Sequence, residues 1–156
     1  MLSTPNQRQV PFFYSIVNPI IHFLVLQFGL GTSGDQDFLR ILRVHGRKSG
    51  RIYETPIRIA IMNGRRYMMS MLGETQWVRN LRSAGEAQLL AGRSVEQVRV
   101  DEIYGEKKAT FLAWYCKHPQ YEQRARSGLK ADTKNLTPGE IERLSRLYPV
   151  FIVEKE

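Results

Sequence analysis

The sequence holds few of the residues that build disulfides or metal sites. Cys116 is the only cysteine among 156 residues, so no disulfide can form within the chain. The three histidines, His22, His45 and His118, are widely separated, and we interpret each as a packing or surface residue. We therefore predict no metal site. A single thiol also suits a reducing compartment, and we expect a cytoplasmic protein.

Long hydrophobic runs are also missing. Residues 9–34 carry no charge, but polar residues and prolines interrupt them. The interruptions are Pro11, Asn18, Pro19, His22 and Gln27. The longest apolar piece is therefore far below the ~20 residues that span a bilayer. Apolar residues at helical spacing predict a helix over 16–30, packed on the domain's own core, after a flexible leader over 1–9. The alternative is a helix in contact with a membrane surface, which would make the protein peripheral to the membrane.

Acidic residues are scarce relative to basic ones. Lys and Arg number 23 against 15 Asp and Glu, which gives a formal net charge of +8. Residues 40–66 contain most of this excess. Their charged residues are Arg40, Arg43, Arg47, Lys48, Arg51, Arg58, Arg65 and Arg66, with Glu54 the one acid. We predict one basic region and one anionic partner. A nucleic-acid-binding module fits the same charge. Few aromatic residues that could stack on bases lie among the basic ones, so we expect no nucleic-acid partner.

Two glycines bracket part of this basic segment, in the order His45-Gly46-Arg47-Lys48-Ser49-Gly50-Arg51. A Gly-x-x-x-Gly turn between two strands bends sharply and brings main-chain N–H groups near a ligand. Arg47, Lys48 and Arg51 add positive charge suited to a phosphate. The spacing differs from that of a Walker loop. On the turn alone, a small anion cradle and a solvent-exposed basic hairpin fit equally well.

Alternation of apolar and polar residues predicts five or six antiparallel strands. The main strands lie over 39–104 and a last strand over 149–154. Asn63-Gly64 is the strongest hairpin signal. So many strands in one short α+β domain over 1–156 favour a small closed barrel, which removes their edges.

Helices are predicted around these strands. Thr75 caps a short helix that closes at Gly85. Further helices lie over 106–118 and 138–147, the second opened by a capping box at Thr137-Pro138-Gly139-Glu140. The polar stretch 120–136 is predicted to be a mobile loop.

Five motifs follow one another from about Leu39 to the end of the chain. They are Gly46-Arg47-Lys48-Ser49-Gly50-Arg51, Thr55-Pro56, Gly73, Trp77-Val78-Arg79-Asn80-Leu81 and Tyr148-Pro149-Val150-Phe151. Together they resemble the deazaflavin-dependent nitroreductase and quinone reductase family, and the first block with the Trp-x-x-Asn-Leu block makes the resemblance specific. It implies a split β-barrel of the FMN-binding type that holds coenzyme F420, with FMN as the less favoured cofactor.

The resemblance also implies which residues form the site. The cofactor-binding residues would be Arg47, Lys48, Ser49, Gly50, Arg51, Thr55, Pro56, Ile57, Gly73, Trp77 and Asn80. The basic turn would hold the phosphate and the polyglutamate tail. The Thr55–Ile57 strand would follow the deazaflavin ring, with Trp77 on its other side, although Trp77 taken alone is more typical of a core residue. Tyr115 and Tyr121 lie in a region comparable to the one that contacts substrate.

The function implied is that of an oxidoreductase. Reduced F420 would transfer a hydride to an electron-poor small molecule, namely a quinone, enone, lactone or nitro compound. We assign no catalytic residue, because nothing in the sequence singles out a proton donor. The alternative is a protein that binds a deazaflavin or flavin cofactor without turnover. The nitroreductase branch has a Ser-Lys-Gly triplet where this chain has Met71-Leu72-Gly73, so the resemblance assigns no serine to substrate handling and does not decide whether nitro compounds are reduced. The chain would act as a monomer or homodimer.

Overall fold

The computed structural model describes residues 37–156. Within this range six strands form a closed antiparallel barrel, in which neighbours follow the order β1-β2-β3-β6-β5-β4. The strands are β1 (Asp37–His45), β2 (Ile52–Met62), β3 (Arg65–Met69), β4 (Glu86–Ala91), β5 (Ser94–Glu102) and β6 (Val150–Lys155). The predicted leader over 1–9 and helix over 16–30, including its membrane-surface alternative, lie outside the described residues.

Short connections set the register of the barrel. β1 and β2 pair from end to end, with Asp37 opposite Ala60 and His45 opposite Ile52. At the next connection Asn63 and Gly64 have φ of 52° and 74°, the left-handed pair that a tight hairpin turn requires. β6 pairs with both β3 and β5, and β4 closes the ring against β1. The predicted antiparallel barrel is confirmed.

Alternation along the strands decides which side chains fill the barrel. Leu42 and Val44 are buried, whereas Arg43 between them is half-buried and His45 is exposed. The cluster inside the barrel comprises Leu42, Val44, Ile57, Ile59, Met68, Ala87, Leu89, Val98, Val100, Phe151 and Val153, with Val78 and Leu81 from the helix described next. Each fully buried aliphatic or Phe side chain contributes about 1.5–3 kcal/mol to folding.

Four helices lie in the described part of the chain: α1 (Gln76–Ala84), α2 (Gly105–Lys117), α3 (Glu122–Gly128) and α4 (Pro138–Leu147). α1 contacts β1, β4 and β5 and places Val78 and Leu81 in the cluster inside the barrel. The other three helices belong to a second cluster, which includes Ala60, Met62 and Tyr67 from β2 and β3. None of the helices in residues 37–156 is both long enough and apolar enough to cross a membrane.

One prediction about the helices is wrong, and another is confirmed only in part. The stretch 120–136 is not a loop throughout, because α3 forms inside it. Its buried residues Tyr121, Ala125 and Leu129 are one helical turn apart, and their burial outweighs the polarity of the residues between them. The helix capped at Thr75 and closing at Gly85 is confirmed in its bounds, but the Thr75 side chain makes no capping hydrogen bond.

The capping box of α4 is confirmed in part. The Glu140 amide donates to Thr137 Oγ1 at 3.2 Å, with Pro138 in the first turn. The Glu140 carboxylate does not return to the Thr137 amide. It accepts instead from the Asp132 amide and from Arg143.

Candidate functional site

The basic turn between β1 and β2 is closed by its own backbone. The Gly46 amide donates to the Arg51 carbonyl at 2.7 Å, and the Gly50 amide donates to the Gly46 carbonyl at 3.0 Å. Gly50 has φ of 69°, which favours glycine. The Arg51 amide donates to Ser49 Oγ at 3.2 Å. Three of the six main-chain amides of Gly46–Arg51 therefore donate within the turn, and the side-chain cations are the main charged groups that a ligand would meet.

Arg47 connects this turn to α1. Its amide donates to Asn80 Oδ1 at 3.2 Å, and its Nη1 donates to the same oxygen at 2.9 Å. Nη1 also donates to Gln76 Oε1 at 3.0 Å. The structure thus brings together two predicted site residues, Arg47 and Asn80. Gln76 was not predicted, although its position four residues before Asn80 places both amides on one helix face.

The remaining residues of the turn face solvent. Lys48, Ser49, Gly50 and Arg51 are all exposed. Beside them, Tyr53 is 48% exposed and packs so closely on Gly46 that a Cβ there would lie 2.5 Å from Tyr53 Cε2. The cations therefore lie next to an accessible aromatic ring.

The residues predicted to follow the ring lie in the middle of β2. Thr55 and Pro56 are half-buried, and Ile57 belongs to the cluster inside the barrel. Trp77 is also half-buried and packs against that cluster, with its ring centroid 6.2 Å from that of Phe151. Trp77 therefore combines core packing with a surface that a ligand can reach.

A tight turn positions Gly73 and Thr75 just before Trp77. Ser70 is buried and its Oγ donates to the Gly73 carbonyl at 2.6 Å; the Thr75 amide donates to the same carbonyl at 3.0 Å. Gly73 has φ of 76°, and a Cβ there would lie 3.3 Å from the Leu147 carbonyl. Thr75 Oγ1 is the one buried side-chain polar atom of residues 37–156 that has no hydrogen-bond partner. Ser70 was not predicted, since no motif contains it.

The structure places Tyr115 and Tyr121 away from these groups. Both belong to the second cluster, where their rings stack with centroids 4.7 Å apart. They are 4% and 1% exposed. Contact with substrate stays a prediction for both, and this structure gives it no support because neither ring offers an accessible face.

The prediction of a single basic region is wrong. β2 has 11 residues, so it spans about 35 Å, and basic residues lie at both of its ends as well as along β1 and β2. Arg66, at the end away from the Gly46–Arg51 turn, donates to Glu96 at 2.8 Å. Nearby Arg40 has a lowered pKa because of its burial and the charge of Arg66, which outweigh the opposing effect of Glu96. Arg43 pairs with Glu54 instead. Strand alternation and length disperse charges that are close in the sequence.

Residues 37–156 contain no group of three or more His, Cys, Asp or Glu side chains placed to hold a metal ion. The arrangement combines exposed cations, a fixed arginine, a buried hydroxyl and apolar side chains. Such a set suits an anionic organic ligand with a flat ring.

Comparison with known proteins gives one family match. The profile of the family described as F420H(2)-dependent quinone reductase matches residues 28–132. No curated protein matches the chain.

Several solved structures are similar. One is an F420-H2 dependent reductase (FDR-A), 21% identical, with 74% of this chain and 93% of that chain covered and a TM-score of 0.45. A second, titled a domain-swapped dimer, is 19% identical, with coverage of 87% and 92% and a TM-score of 0.46. A third, from Clostridium acetobutylicum, is related to general stress protein 26 of B. subtilis (pyridoxinephosphate oxidase family). It is 9% identical, with coverage of 76% and 75% and a TM-score of 0.49.

Proposed function

The chain belongs to the F420H(2)-dependent quinone reductase family, and from this membership we propose how its residues hold the cofactor. It is an oxidoreductase whose cofactor is coenzyme F420. When bound in its reduced form, F420 supplies a hydride for an electron-poor substrate. The residues of this chain then have two tasks, which are to bind the anionic part of the cofactor and to enclose its ring.

The position of Arg47 is the observation that carries the proposal. Its guanidinium is held against α1 by Gln76 and Asn80, so its charge is fixed where the basic turn meets the helix. Lys48 and Arg51 are exposed beside it and can approach further anionic groups. The first turn of α1 has no acidic residue to repel an anion. This arrangement fits the phosphate and the glutamate chain, which Arg47, Lys48, Ser49, Gly50 and Arg51 would hold.

The surroundings of Trp77 fit the ring. A buried hydroxyl without a partner costs about 1–3 kcal/mol, and Thr75 Oγ1 is such a group. A heterocycle with polar atoms at its edge would give it a partner, while Pro56, Ile57 and Trp77 supply apolar contacts. We propose that these residues, with Thr55 and Gly73, line the ring site and exclude water from it. Asn80 acts indirectly, by holding Arg47 in position.

The substrate class follows from the family name, and we propose a quinone. Enones, lactones and nitro compounds are electron-poor alternatives that a substrate panel compares directly. For assembly, we keep the prediction of a monomer or homodimer, which light scattering after size-exclusion chromatography distinguishes.

A fluorescence titration tests the cofactor site. F420 should bind the native protein in preference to FMN. Replacing both Arg47 and Lys48 with alanine should weaken F420 binding by at least about tenfold, since a charge-assisted hydrogen bond contributes about 1.5–3 kcal/mol. Arg93→Ala, an exposed arginine in the β4–β5 turn, is the matched control and should leave affinity unchanged. Unchanged affinity in the double variant would exclude the basic turn as the anion site.

Steady-state oxidation of reduced F420 with the substrate panel tests turnover. The native protein should oxidise reduced F420 when a quinone is supplied. Tight binding of F420 without oxidation by any member of the panel would favour the alternative of a non-catalytic cofactor-binding protein.

A further inference from the structure

We propose that Gln76 is a positioning residue that orients Arg47 for side-on binding of a two-oxygen anion. Gln76 and Asn80 both accept from Nη1 of Arg47, at 3.0 and 2.9 Å. Nη1 carries two N–H groups, so these contacts use both of them. The inference rests on the proposed function, because the anion is taken to be a phosphate or carboxylate of F420.

The donors left on Arg47 define the binding geometry. A guanidinium has five N–H groups in one plane. With Nη1 occupied, Nε and Nη2 have no partner among residues 37–156, and their two parallel N–H groups form the side edge of the fork. This edge matches the two oxygens of a carboxylate or phosphate. The end-on edge requires Nη1 and is closed to the ligand.

The two amides differ in what else they do. Asn80 is 4% exposed and also accepts from the Arg47 amide, so it shapes the backbone of the turn as well as the side chain. Gln76 is exposed, and its side-chain oxygen contacts the guanidinium. A change at Gln76 therefore alters the orientation of Arg47 with little effect on the fold, which makes it the better probe.

The expected size of the effect follows from side-chain ordering. An arginine that is already immobilised loses less conformational freedom when the anion binds. Gln76→Met keeps the length of the side chain and removes the acceptor, so it should weaken F420 binding about three- to tenfold. A role limited to tethering α1 to the turn would instead lower the unfolding midpoint of Gln76→Met.

A double-mutant cycle tests the inference by fluorescence titration with F420. Gln76→Met should weaken binding in the native background and cause no further loss in the Arg47→Ala background. Its thermal unfolding midpoint should equal that of the native protein. Gln97→Met, at an exposed glutamine on β5, is the matched control and should change neither quantity. Arg47→Lys keeps the charge without the fork, so it should recover little of the affinity lost in Arg47→Ala.

The outcomes distinguish failure of the Gln76 positioning role from failure of the proposed anion site. The positioning role is overturned if Arg47→Ala weakens F420 binding but Gln76→Met does not. It is also overturned if Gln76→Met weakens F420 binding equally in the native and the Arg47→Ala backgrounds. Full recovery by Arg47→Lys would overturn the side-on geometry. If Arg47→Ala itself has no effect, the proposed anion site fails. As a further probe, the deazaflavin chromophore without phosphate and glutamates should bind all variants equally; a loss in Gln76→Met would contradict action through the anion.

Discussion

Arg47 and Asn80 are joined twice through one oxygen. Asn80 Oδ1 accepts the main-chain amide of Arg47 at 3.2 Å and its Nη1 at 2.9 Å, across a separation of 33 positions in the sequence. Since Asn80 is 4% exposed, the surrounding core of α1 holds its amide in place. The shape of the β1–β2 turn therefore depends on a helix residue, and the turn and α1 behave as one structural unit.

Asn80→Leu should destabilise the protein and disorder the turn. The variant keeps an apolar side chain of similar size but leaves the Arg47 amide without its acceptor, so the free energy of unfolding should fall by about 1–3 kcal/mol. Urea denaturation measures the change. Asn135→Leu is the matched control, because Asn135 is exposed and only its main chain makes the hydrogen bonds seen here. Equal stability of Asn80→Leu and the native protein would show that the Asn80 bond contributes nothing to the fold.

Gly46→Ala should cost stability through a clash with Tyr53. The added methyl group would lie 2.5 Å from Tyr53 Cε2, and since the ring is partly exposed it can move aside at a cost of about 1 kcal/mol. Tyr53→Ala should then relieve most of the loss in the double variant. Gly50→Ala is the contrasting case: it meets no atom within 4 Å but has φ of 69°, so its strain should persist when Tyr53 is removed. Thermal or urea unfolding of the five variants separates clash from backbone strain.

The barrel could be predicted from the sequence because its determinants are local. Alternating residues such as Ile57 and Ile59 identify buried strand faces, and Asn63-Gly64 specifies a turn through φ values that other residues rarely adopt. The helix around Tyr121 escaped prediction because three buried residues among polar neighbours are a weak signal. Its stability comes from packing, which the local sequence does not reveal.

The sequence predicted which residues belong to the site but not how they are bonded to one another. Motif matching identified Arg47 and Asn80, but not their hydrogen bonds, since contacts between distant positions depend on how α1 packs on the barrel. The prediction of a single basic region, which came from the charge count, was wrong for a different reason. Arg47 and Arg66 belong to one basic segment of the sequence, but β2 runs between them, so they lie near opposite ends of that strand. The length of a predicted strand therefore limits how closely the basic residues at its two ends can lie.

Cys116 should be unreactive in the folded protein. It is fully buried, and burial together with the charge of Glu140 raises the pKa of its thiol to about 11. At about pH 8 almost no thiolate forms, and a reagent cannot reach the sulfur. Iodoacetamide should therefore label the native protein very slowly and the urea-unfolded protein rapidly, as mass spectrometry would show. Rapid labelling under native conditions would mean that α2 opens readily or that Cys116 is not buried.

Arg82 links three parts of the chain near α1 and should make stability depend on pH. Its guanidinium donates to Glu74 at 2.8 Å and to Glu102 at 2.6 Å. The hydrogen bond from Arg82 lowers the pKa of Glu74. Burial acts to raise the pKa of Glu102, but the hydrogen bonds from Arg82 and Tyr104 outweigh it and the pKa is lowered. A carboxylate with a lower pKa in the folded state stabilises the fold above its unfolded pKa, and this contribution is lost as the pH falls through the folded value.

Arg82→Met should thus be destabilising at neutral pH and less so in acid. At about pH 7 the Glu102 side chain, 7% exposed, would be left charged without its main partner, at a cost of about 1–3 kcal/mol. Below the folded pKa values of Glu74 and Glu102 both carboxylates are protonated in either protein, so the difference in unfolding free energy should shrink. Urea denaturation across this pH range measures it, with Arg99→Met, from an exposed pair with Glu154, as a control that should show no measurable change. A loss that is the same at every pH would mean that Arg82 acts through the packing of its aliphatic stem rather than through its charge.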